Sequence, residues 1–84
     1  MVDIKWAVVC NNADGEATSV DLFENYADAV LFTNADANDL LEEYKANQVN
    51  DPDEMRIEDY GEEVLLMYGG SVEIRWDIMP VNFH

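Results

Sequence analysis

Nineteen of the 84 residues are Asp or Glu, against four Lys or Arg, one His and one Cys. Carboxylates in such excess suit three kinds of chemistry: acid–base catalysis by a pair, ligation of a hard cation, or docking on a positive surface. The first is poorly provided for. The sole imidazole, His84, stands at the last position, where fraying defeats the fixed geometry of a general base. Without a second His, no Ser-His-Asp or Cys-His arrangement can be built. Cys10 closes an apolar run with no basic neighbour in sequence to lower its pKa, and so reads as a buried structural thiol. The expectation is a protein that is not an enzyme.

Cation ligation fares little better. Asn34-x-Asp36-x-Asn38 imitates the start of a calcium loop, but the sixth position is Asp39 instead of Gly and the twelfth Lys45 instead of Glu. Asp51-Pro-Asp-Glu54 and the pairs Glu58-Asp59 and Glu62-Glu63 read as solvated acidic loops before they read as ion sites. No zinc spacing is present, and Gly61 and Gly69-Gly70 lack the Lys and the following helix of a phosphate loop. No cofactor and no metal is expected.

The third chemistry remains. Four cations against nineteen acids give a net charge of −15, which repels nucleic acid and anionic lipid and attracts basic surfaces. Direct nucleic-acid binding and membrane association are therefore not expected. One Cys cannot close an internal disulfide, and neither a signal-peptide pattern nor an apolar run of about 18 residues is visible. Those features favour a reducing, cytoplasmic setting. Apolar residues make up 49% of the chain and aromatics 11%, enough for a folded core.

The elements that must position the acids can be read from periodicity. Ile4, Trp6, Val8 and Cys10 alternate as one face of a strand, and Thr18, Val20 and Leu22 as another, with Asn11-Asn12-Ala13-Asp14-Gly15 as the hairpin turn between them. Pro52 places a loop at 51–54. Met55 to Tyr60 predicts a short strand with Met55 and Ile57 inward. Glu63 to Tyr68 and Ser71 to Met79 flank the turn glycines Gly69-Gly70, with Val72, Ile74, Trp76 and Ile78 on one face and Glu73, Arg75 and Asp77 on the other. Between the sheet segments a helix is expected from an Asn25 N-cap to about Asn47, with a possible break at Thr33-Asn34. Its core stripe is Tyr26, Val30, Thr33, Ala37, Leu40, Leu41 and Tyr44. The result is one α+β domain over residues 1–84: an antiparallel sheet of four to five strands, in ββαββ or ββαβββ order, covered on one face by one amphipathic helix. The other sheet face is expected to be solvated, carrying Lys5, Asp21, Glu58, Glu73, Arg75 and Asp77.

On that framework the acids cluster. Asp28, Asp36, Asp39, Glu42 and Glu43 fall opposite the core stripe, in a row about 22 Å long at 1.5 Å per residue. Neighbours at i+3 or i+4 stand about 5–6 Å apart, a separation of the same order as consecutive phosphates. Asp51, Asp53 and Glu54, then Glu58, Asp59, Glu62 and Glu63, continue the series. Phe32, within the acidic arc, and Leu31, off the core stripe, are either buried where the helix breaks or protrude as apolar anchors; Phe32 or Tyr60 is the anchor expected among the acids, with Tyr68 and Phe83 as further candidates.

A small α+β domain with no catalytic set and a clustered acidic surface resembles the anti-defence proteins of phages and mobile elements, namely DNA-mimicking anti-restriction proteins and anti-CRISPR inhibitors. The resemblance is carried by charge, size and element order, not by a motif. It implies a partner with a basic nucleic-acid channel, such as a Cas effector or a restriction enzyme, bound through the acids named above. Two other readings remain open: an adaptor or immunity-type protein that binds a basic partner without mimicry, and a weak metal buffer. A homodimer through an exposed sheet edge also fits.

Overall fold

The computed structural model describes residues 3–47 and 49–83. Its elements follow the expected order in the five-strand form: β1 (Asp3–Asn12), β2 (Ala17–Phe23), α1 (Tyr26–Asn47), a 3₁₀ turn (Pro52–Glu54), β3 (Met55–Asp59), β4 (Glu63–Tyr68) and β5 (Ser71–Phe83). The strands form one sheet in the order β2-β1-β5-β4-β3, antiparallel throughout. The fold is α+β, with one helix on one face of the sheet. Among the described residues, no helix is long and apolar enough to cross a membrane.

The turns form where polar side chains close them. Asn12 Oδ1 accepts hydrogen bonds from the Asp14 and Glu16 amides, both at 3.0 Å, and Gly15 takes the positive φ of 85° that a side chain would resist. At the β3–β4 turn Asp59 Oδ1 accepts from Gly61 N at 2.8 Å.

Asn25 caps the helix, its Oδ1 accepting from Asp28 N at 2.9 Å. The helix runs unbroken through Thr33-Asn34, and the buried Thr33 hydroxyl is satisfied within it by donating to Ala29 O at 2.9 Å. Ala29, Thr33 and Ala37 are its most buried residues. Spaced four apart, these small side chains form a spine that lets the helix approach the sheet. Beneath them lie Trp76, Leu66, Val8 and Val64, all at most 2% exposed. Tyr26 stacks edge-on against Trp6 with centroids 4.9 Å apart, and Phe32 packs on Phe23 at 5.1 Å.

The two sheet faces differ from expectation in two respects. Leu66 pairs with Ile74 and Met67 with Val72, so Glu73 is the extra residue of a bulge. That slip turns Val72 away from the helix, to the face it shares with Met67. Asp21 lies opposite Val8, on the helix side, and Glu73 is close enough to Tyr44 to help raise its phenol pKa, a shift caused first by burial. The open face therefore lacks Asp21 and Glu73 and holds Val9, Val20, Leu22, Leu65, Val72 and Met79 instead.

Candidate protein-interaction surface

Helix geometry sorts the acids first. Asp28, Asp39, Glu42 and Glu43 are exposed on the outer face of α1. Asp36 is not in that row: it is half-buried, and its Oδ2 accepts a 3.0 Å hydrogen bond from Nε1 of Trp76, which is fully buried. An indole N–H without water needs an acceptor, and the helix residue one position short of Ala37 supplies it. With Asp36 withdrawn, Asp28 stands about 16 Å from Asp39 along the helix. The predicted continuous row is thus a single acid near the N-terminus and a cluster near the C-terminus.

That C-terminal cluster does not end with the helix. The helix also contacts the 3₁₀ turn, which carries the exposed acids Asp51, Asp53 and Glu54. The turn is held there by Asp51 N donating to the Tyr68 hydroxyl at 3.3 Å and Gly69 N to Glu54 O at 3.0 Å. The remaining acids, Glu58, Asp59, Glu62 and Glu63, occupy the other end of edge strand β3, about 17 Å away at 3.4 Å per residue. Two acidic groups therefore flank one sheet edge.

Within these groups the carboxylates are not equivalent. Glu58 accepts from the Tyr60 hydroxyl and from Arg56 Nε at 2.8 Å, and these contacts, Tyr60 foremost, hold its carboxyl below the usual range. Asp59 serves the turn, and Asp28 accepts from Asn25 Nδ2 at 3.1 Å. In contrast, no hydrogen bond or ion pair joins the carboxylates of Asp39, Glu42, Glu43, Asp51, Asp53, Glu54 or Glu62 to another described residue. Glu63 is half-buried on the open face, opposite Asp77. No three His, Cys, Asp or Glu among the described residues converge as metal ligands do.

The anchors sort differently from the expectation. Phe32 is half-buried against Phe23 and the core, because the buried arc of α1 is wider than the predicted stripe and reaches it. Tyr68 is likewise part of the core margin. Leu31, 68% exposed, and Tyr60, 64% exposed, are the large side chains that protrude beside the acids. His84 and the side chain of Phe83 lie outside the described residues. Cys10 is buried, and burial above all raises its thiol pKa, with the hydrogen bond from Thr18 opposing the shift.

The cations complete the picture. Lys5, Arg56 and Arg75 all lie on the open sheet face, opposite the helix, where they pair with Glu24, Glu58 and Asp77. Only Lys45 stands on the helix side, in the last turn of α1. The surface is that of a two-layer α+β domain with segregated charge and no converging catalytic groups among its described residues. Compared with known protein families, curated proteins and solved structures, the chain matches none.

Proposed function

We propose that this chain is a non-enzymatic inhibitor that occupies the basic nucleic-acid-binding surface of a defence effector, of the anti-CRISPR or anti-restriction kind, as a mimic of DNA. Charge segregation is the observation that carries the reading. Seven carboxylates with no partner among the described residues gather at the helix end, the 3₁₀ turn and the β3–β4 turn, while three of the four cations lie on the opposite face. A fold gains nothing from such crowding, since like charges repel and destabilise the compact state. A basic groove relieves that repulsion on binding and steers the encounter. Tyr60 supplies apolar contact beside the acids of the β3–β4 turn, and Leu31 stands one helical turn from Asp28.

The test is capture from a bacterial lysate on the tagged chain, followed by elution with a short DNA duplex or with buffer of equal ionic strength. A mimic releases a nucleic-acid-binding effector to DNA and not to buffer. In the purified complex, reversing Asp39, Glu42 and Glu43 to Lys weakens binding by about 2–5 kcal/mol if those pairs are desolvated. Capture of a partner that DNA cannot displace favours the adaptor or immunity-type reading.

A further inference from the structure

The sheet face turned away from the helix is too apolar to be a solvated surface. Val20 is 59% exposed, Leu22 54%, Met79 41% and Val72 39%, and the register places all four on this face, around the half-buried Val9 and Leu65. Antiparallel sheets that face water normally alternate apolar-in with polar-out. Here both sets of positions are largely apolar, the pattern of a sheet covered on both sides.

Charge decides what can cover it. This face carries three cations, Lys5, Arg56 and Arg75, and four acids, Glu58, Glu63, Asp77 and the Glu24 that pairs with Lys5, so it is nearly neutral in a chain of net charge −15. A partner recognised by its basic charge is drawn to the helix side instead. A second copy of this chain is repelled by every acidic surface and meets no such field here. The face also carries both signs, with Arg75 beside Asp77 and Arg56 beside Glu58, which suits the self-complementary contact of a two-fold pair. At about 3.4 Å along and 4.8 Å across each strand residue, the five strands tile on the order of 700 Å², close to the roughly 800 Å² per partner of a standard interface.

We propose that two copies pack through their open sheet faces, forming a four-layer α/β/β/α dimer with both acidic helix sides outward. The faces meet as sheets do in a sandwich, about 10 Å apart. The sheet edges take no part, and the contact is independent of the inhibitor reading. Because the two copies still repel through their outward charge, added salt strengthens this dimer, whereas a contact built on ion pairs weakens.

Sedimentation equilibrium of the full chain from 5 to 500 μM, at about 0.05 M and 0.5 M NaCl, reads both the mass and the salt response. The expected mass is twice that of the 9.6 kDa chain, with a dissociation constant at least tenfold lower at the higher salt. Leu22→Glu, at an exposed position of an edge strand, raises that constant at least 100-fold with the circular dichroism spectrum unchanged; Asp39→Lys on the helix side leaves the dimer intact. A chain that stays monomeric at 500 μM in 0.5 M salt overturns the proposal and assigns the face to a partner of different sequence. A dimer indifferent to both Leu22→Glu and Val20→Glu overturns it in favour of an edge contact.

Discussion

Replacing Asp36 by Ala separates the acid that serves the core from those that serve the surface. In the folded chain its Oδ2 is 3.0 Å from Nε1 of Trp76, a residue with no solvent exposure. Truncation leaves that indole N–H buried without an acceptor, a loss of about 1–3 kcal/mol. Removing one negative charge from a chain of −15 returns a few tenths, so a net loss of about 2 kcal/mol is expected. For a domain of this size that lowers Tm by roughly 8–16 °C. Asp39→Ala, one helical turn away and exposed, changes stability by less than about 0.5 kcal/mol, in either direction. Urea unfolding followed by far-ultraviolet circular dichroism measures both, at one protein concentration so that association does not intrude. Asp36→Asn, which keeps a carbonyl acceptor, recovers part of the loss. A double-mutant cycle with Trp76→Phe adds the specific test: the two losses are non-additive by more than about 0.5 kcal/mol if the hydrogen bond couples them. Equal stabilities for Asp36→Ala and Asp39→Ala would refute the assignment and return Asp36 to the acidic row.

Two further outcomes follow from local geometry. Asn25→Ala removes the side-chain acceptor at the start of α1 and costs about 1 kcal/mol, read as a drop in Tm with little change in the native spectrum; no drop means that the cap contributes nothing. Tyr60→Phe removes the foremost contact that holds the Glu58 carboxyl low, so in a carboxyl-carbon NMR titration the Glu58 midpoint rises toward the ordinary value. The sign follows from linkage: a carboxyl lowered in the folded state stabilises fully above its unfolded pKa and loses that contribution as pH falls through the folded one. The acid-side loss of stability due to Glu58 therefore starts at the same pH in the variant, is smaller, and is complete at a higher pH, and an unmoved midpoint counts against the hydrogen bond.

Much of the architecture was legible in the chain because periodicity and turn chemistry are local properties. Alternation in β1, the Asn25 cap, Pro52 and the glycine pair at 69–70 each constrain only a few neighbouring residues, and together they specify element order and the helix bounds. Composition alone also determines the charge of −15 and the shortage of histidine. The distribution of that charge is another matter. Whether an acid on α1 faces water depends on which sheet residue lies under it, and Asp36 turns inward because Trp76, forty positions later, needs an acceptor. Ala29, fully buried beside Thr33 and Ala37, lay outside the expected stripe, because small residues carry little hydrophobic signal until a large partner fills the space above the sheet. Val72 and Glu73 exchanged faces through a bulge fixed by the pairing of β4 with β5, a long-range register that alternation within one strand cannot reveal. The nearly neutral, apolar open face likewise exists only once five strands stand side by side, since its residues are scattered from Lys5 to Val81, odd-numbered in β1 and β4 but even-numbered in β2 and β3. Sequence determined how much charge the protein carries; the pairing of strands and the seat of the helix decided which side of the molecule presents it.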